Sequence, residues 1–214
     1  SRDHLQPVAA ELSFGVDDET PVSVQLPNDR RVSFKGNADR VDRDPRSGSL
    51  VVTDYKTGKK DEFKKLPETL VARGTKLQLP IYGLAARAAH GSPDTPVRTR
   101  YWFTSERGQF VEIGYELDQR VLDVFAKVLD VIVTGIGSGH FPAHPGAVTN
   151  WPNDGTYENC RYCDFHQVCP TDRGRAWARV SQNDGGELSR FVALVEGPDP
   201  AAEPEPEQGD GEAS

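Results

Sequence analysis

Gly36-Asn37-Ala38-Asp39-Arg40-Val41-Asp42 and, beyond the turn Pro45-Arg46-Ser47-Gly48, Val51-Val52-Thr53-Asp54-Tyr55-Lys56 are the two stretches whose reading decides the fold. Arg31 to Arg43 alternates well enough to form one long strand, and Ser49 to Tyr55 is a short β-branched run, so the pair reads as an antiparallel hairpin. Successive strand residues face opposite sides, which places Asp54 and Lys56 on one face. The short hairpin brings Asp39, on the neighbouring strand, beside Asp54. Tyr55 then turns its ring the other way, into the core, while its backbone carbonyl stays available as an oxygen donor.

Working outward, Val8 to Phe14 and Val22 to Leu26 read as short strands, with Asn28-Asp29 supplying a turn. Leu77, Ile81, Tyr82, Leu84, Ala85 and Ala88 recur at helical spacing. Gly91 and Pro93 stop that helix, and Pro80 sits in its first turns, where a missing N–H is tolerated. Val97 to Thr104 and Gln109 to Tyr115 form a hairpin around Glu106-Arg107-Gly108. A second helix runs from Asp118, its N-cap, to about Thr134, and a Gly-, Pro- and Asn-rich connection follows to Tyr157. The order predicts an α/β fold: a central mixed β-sheet flanked by helices, with a C-terminal cysteine-containing loop region.

The chain of 214 residues is 36% hydrophobic and 27% charged, enough for one folded domain, expected over residues 1–196. Residues 197–214 alternate Pro with Asp and Glu and carry no base, the composition of a disordered acidic tail. The net charge of −8 misleads for the rest: that tail holds six acids, and without them it is −2. Basic residues crowd between Arg30 and Lys65, which suits either contact with a polyanion or a solvated face. No apolar run approaches the about 20 residues that span a bilayer, so the expectation is a cytoplasmic protein with no membrane partner. The three cysteines, Cys160, Cys163 and Cys169, fall within ten positions, a metal-ligand spacing rather than a disulfide framework.

Two aspartates and a lysine converging from adjacent strands suit the hydrolysis of a phosphodiester. That reaction calls for a hard cation held by carboxylate oxygens and a positive charge near the phosphate. Taken alone, Asp-x-Lys on a strand also describes a surface ion pair. In combination, the segments resemble the PD-(D/E)XK nuclease superfamily and within it the RecB/AddB-like, iron–sulfur exonuclease branch, whose "GxxDRxD" segment Gly36 to Asp42 matches. The resemblance implies a restriction-endonuclease-like core with Asp39, Asp54 and the Tyr55 carbonyl as ligands of Mg²⁺ or Mn²⁺, and Lys56 as the catalytic lysine. Gln78-Leu79-Pro80-Ile81-Tyr82 looks like the branch's "QLxxY" helix, which makes Gln78 and Tyr82 site residues four apart on one helical face. It further implies DNA as substrate, single-stranded ends in particular, in repair or recombination. A helicase motor would be a partner, because this chain has no phosphate-binding Gly-x-x-x-x-Gly-Lys-Ser/Thr segment.

Cys160-x2-Cys163-x5-Cys169-Pro170 resembles the C-terminal cysteine segment of the same branch, which joins an upstream cysteine to hold a [4Fe–4S] cluster. That fourth cysteine is absent from this chain. Together with the lack of any Met, this gives the expectation of an N-terminally truncated piece. A zinc site completed by His166 is the alternative. Two other functions stay open at this level: a catalytically inactive nuclease-like DNA-binding module of a repair complex, and a small zinc-binding interaction protein.

Overall fold

The structure, a computed structural model, describes residues 4–27, 29–149, 156–161, 163–165, 167–182, 185 and 187–201. Where the sequence suggested one domain over 1–196, the chain divides into two compact units, 4–129 with 198–201 and 130–197. The boundary falls within a single helix.

The first unit is built on a five-stranded sheet of order β1-β4-β5-β6-β7, in which only β5 and β6 run parallel. β5 (Leu50–Lys56) lies at its centre. Its residues Leu50 to Asp54 are all buried, the continuous burial of a strand covered on both faces. β4 (Gly36–Arg43) returns to it through the expected turn: Asp44 accepts from the Gly48 amide at 2.7 Å, and Gly48 takes the left-handed conformation at φ +73°. β1 (Gln6–Phe14) pairs antiparallel with β4 on the outer side.

The long strand expected over Arg31 to Arg43 is two strands. β3 (Arg31–Phe34) pairs with β2 (Val22–Gln25) in a separate ribbon, and the chain enters the main sheet only at Gly36. Two glycines explain the break. A side chain on Gly15, at φ +64°, would meet the Phe34 carbonyl at 2.9 Å, and one on Gly36 would press on the Phe14 ring at 3.2 Å.

The crossover from β5 to the parallel β6 (Val97–Phe103) carries the one-turn α1 (Leu66–Thr69) and then α2 (Gln78–His90). Gly83 lets α2 lie close on the sheet, since a Cβ there would stand 2.8 Å from both Leu117 and Thr99 side chains. Leu66, Leu79, Tyr101 and Phe103 form the core under its first turns, and Phe14, Val22 and Ala85 form a second cluster. Full burial of a side chain such as Leu79 or Phe103 contributes about 1.5–3 kcal/mol. β7 (Glu112–Glu116) completes the hairpin predicted around residues 106–108. α3 (Gln119–Gly137) opens on the expected cap: Asp118 Oδ1 accepts from the Val121 amide at 2.9 Å. It runs three residues past Thr134 and ends before Gly139, which is left-handed at φ +71°.

In the second unit, α4 (Arg173–Ser181) and α5 (Glu187–Glu196) occupy a stretch for which no helix was anticipated. Asp172 caps α4 through the Arg175 amide at 2.9 Å, and Trp177 packs against His144 and Phe191. Of the residues assigned by composition to the tail, 198–201 make contacts: Ala201 is buried, and its carbonyl accepts from Arg120 at 2.6 Å. Residues 202–214 lie outside the described residues. Among the described residues, no helix is long and apolar enough to cross a membrane.

Candidate active site

The site forms where burial along β5 thins toward its C-terminal end. The β4–β5 ladder ends with Arg40 opposite Thr53, so the next positions, Asp39 and Asp54, are neighbours across two strands. A side-chain contact secures them: Asp39 Oδ2 accepts from the Tyr55 amide at 2.8 Å. The Tyr55 peptide, with its carbonyl, therefore belongs to the site. Its ring does not enter the fully buried core as expected. It is half-buried and packs on Trp102 at 5.5 Å between centroids, because that face of the sheet also carries Arg40 and Arg100.

Asp54 is 3% exposed. Burial pushes its carboxyl pKa up; the Lys56 ammonium opposes this, and the nearby Asp39 charge adds to it. Lys56 Nζ stands 2.6 Å from Asp54 Oδ2 and forms a charge-assisted ion pair with this buried oxygen. Lys56 also donates to Gln78 Oε1 at 3.2 Å and lies over the Tyr101 ring at 5.0 Å.

Gln78 and Tyr82 meet one helical turn apart, Gln78 Nε2 donating to the Tyr82 hydroxyl at 3.3 Å. Gln78 Oε1 also accepts from the Tyr101 hydroxyl at 3.4 Å, and two donors on one oxygen fix which way the carboxamide faces. Burial, followed by the Asp54 charge, raises the pKa of both tyrosines. Asp39, Asp54, Lys56, Gln78 and Tyr82 are thus brought together as the motifs suggested.

Tyr101 is the member that sequence reasoning missed. It is fully buried and directly opposite Asp54 in the β5–β6 register, so only the strand pairing reveals it. The motif's other carboxylate, Asp42, is not a ligand candidate. Strand alternation turns it to the far face, where Arg40 holds both its oxygens at 2.8–3.0 Å.

Two neighbouring carboxylates, one of them buried, and a backbone carbonyl form a hard-oxygen set that fits a divalent cation keeping part of its own water shell. Among the described residues no group of three or more His, Cys, Asp or Glu side chains is placed to hold a metal, so the acidic contribution here is these two aspartates. His4 lies at the opposite end of the hairpin, 3.3 Å from Asp44.

Cys160, Cys163 and Cys169 line a single cavity of about 720 Å³ in the second unit, with Phe165, Val168 and Arg173, and none forms a disulfide. They are not assembled as a ligand group. His166, the alternative fourth ligand, lies outside the described residues.

Compared with known families, residues 1–170 match the model of the PD-(D/E)XK nuclease superfamily. No curated protein matches the chain. The match spans most of the chain, and its family is one whose name spells the spacing found at Asp54-Tyr55-Lys56; the chain belongs to the PD-(D/E)XK nuclease superfamily.

Proposed function

We propose that this chain is a Mg²⁺- or Mn²⁺-dependent deoxyribonuclease of the RecB/AddB-like branch, degrading single-stranded DNA from its ends beside a helicase motor. One observation carries the reading: two carboxylates, Asp39 and the buried Asp54, are neighbours at the end of β5, with the Lys56 ammonium 2.6 Å from Asp54 and the Asp39 charge adding to the upward push on its pKa. A purely structural ion pair would need only one of these two carboxylates.

Asp39, Asp54 and the Tyr55 carbonyl would hold the cation. When bound, it supplies Lewis-acid polarisation of the phosphate and makes water a stronger acid. Lys56 places a fixed positive charge where the attacking oxygen and the phosphate meet. As the new P–O bond forms and the opposite one breaks, negative charge builds on the phosphate oxygens, and a pre-positioned ammonium stabilises it without reorganisation. Gln78 keeps Lys56 aimed by accepting a hydrogen bond from it, and Tyr82 holds the Gln78 amide by accepting from its nitrogen. Both stand on the exposed lip of α2, where they would orient the strand.

Preference for ends and coupling to a motor rest on the branch resemblance and on the lack of a nucleotide-binding segment in the chain. The cysteine cavity suits a soft structural metal by donor type, either an iron–sulfur cluster or zinc, and has no step in the hydrolysis. The test is incubation with linear and closed-circular single-stranded DNA in Mg²⁺ or Mn²⁺. Loss of the linear form with survival of the circle is expected. Equal cutting of both would overturn the end-dependent reading while keeping the hydrolytic one.

A further inference from the structure

The loop joining β6 to β7 stands at the same end of the sheet as Lys56 and is fastened to the exit of β5. The Thr104 amide donates to the Lys56 carbonyl at 2.9 Å, and Ser105 Oγ donates to the Thr57 carbonyl at 2.8 Å. Lys56 is level with Phe103 in the β5–β6 register, and the Phe103 amide donates to the Val111 carbonyl at 2.9 Å. Val111 is therefore two strand spacings, about 10 Å, from the backbone of the catalytic lysine.

The next residue along this edge is Phe110, which is 59% exposed. It sits in the left-handed region at φ +53°, directly after Gln109 at φ +58°. A bulky side chain is disfavoured there, and glycine would hold the same turn without strain. The tight packing of the loop already relies on glycine two positions earlier, where a Cβ on Gly108 would lie 2.5 Å from Phe103 Cβ. The ring belongs to neither core cluster described above, and strain of this kind concentrates at functional surfaces.

The surroundings are basic. Lys60 of the β5 exit donates to Gln109 Oε1, linking the two loops, and Lys59 and Arg107 are exposed beside them. Asp61 is taken by Lys64 at 2.6 Å, and the loop's one acid is Glu106. Among the described residues Lys59 and Arg107 are in no ion pair.

We infer that Phe110, flanked by Lys59, Lys60 and Arg107, is a stacking platform for a base of single-stranded DNA whose backbone runs over the basic β5 exit toward Lys56. The inference rests on the proposed nuclease reading and supplies its preference for single strands. An unpaired base offers a face to a ring and a duplex does not, while phosphates meet the cations in both.

The test is fluorescence anisotropy of the full chain with labelled oligo(dT) and with a duplex of equal length, in EDTA so that nothing is cleaved. Phe110→Ala should weaken oligo(dT) binding about tenfold, the loss of one stacked base. Duplex binding should be unchanged, and Phe110→Trp should match the parent. Phe110→Gly separates recognition from folding, because it should bind oligo(dT) as poorly as the alanine variant while melting at a higher temperature than the parent. Oligo(dT) affinity unchanged in Phe110→Ala would overturn the platform and leave the hydrolytic reading intact. Absence of any oligo(dT) binding by the parent would also overturn it, and metal-dependent cleavage of duplex DNA would then show whether the nuclease reading survives.

Discussion

Asp54 carries the tension of the site. Its pKa is raised by burial, so the ionised carboxylate costs the metal-free fold stability above that raised value, and the cost disappears as pH falls and the group takes up a proton. Asp54→Asn should therefore raise the metal-free melting temperature at neutral pH, by the equivalent of about 1 kcal/mol, while ending cleavage. The gain should shrink on acidification through the folded-state pKa. Thermal melts in EDTA at several pH values would check this, and a variant less stable than the parent at neutral pH would show that Asp54 is a structural ion-pair member. At this scale the site was legible where local rules suffice. Alternation pairs Asp54 with Lys56, helical spacing pairs Gln78 with Tyr82, and a short hairpin brings up Asp39. Tyr101 was hidden because its position opposite Asp54 depends on a parallel pairing closed 47 residues later. The ring of Tyr55 was misplaced because alternation gives a direction and says nothing of what covers that face.

Among the elements, α2 converts sheet geometry into site geometry, since Gln78 reaches Lys56, with Tyr82 behind it, only while the helix lies close on β6. Gly83 sets that approach. Gly83→Val should destabilise the fold by about 2 kcal/mol through overpacking and should lower kcat for cleavage by tilting Gln78 away from Lys56. Ala88→Gln, on the exposed side of the same helix, should do neither. Denaturant titrations and steady-state rates on the three proteins would decide it. Periodicity and turn chemistry made β1, β5, α2, the β6–β7 hairpin and α3 readable. They failed at the β3–β4 break, where a polar–apolar alternation runs unbroken through Lys35 and only the crowding at Gly15 and Gly36 reveals the bend. They also passed over α4 and α5, although Asp172 as a cap and Leu188, Phe191, Val192 and Val195 at helical spacing were there to be read.

For the molecule as a whole, the central mixed sheet was foreseeable from the order of strands and helices, whereas a boundary inside α3 leaves no mark in composition. Charge is the whole-molecule quantity that bears on DNA. Ending the chain after Ala201 removes five acids and no base and takes the net charge from −8 to −3. That truncation should tighten DNA binding at low ionic strength and make no difference at several hundred millimolar salt, where such long-range repulsion is screened. A salt series of anisotropy titrations measures it. The central claim, that Asp39, Asp54 and Lys56 form a divalent-metal hydrolytic centre, is met most directly by degradation of end-labelled single-stranded DNA in Mg²⁺ or Mn²⁺. The parent, Asp54→Ala, Lys56→Ala and an EDTA control would be compared. Cleavage by the parent alone, with both variants reduced by at least about a hundredfold, is the predicted result. Cleavage that persists in Asp54→Ala or in EDTA, or a parent as inert as its variants, would contradict it.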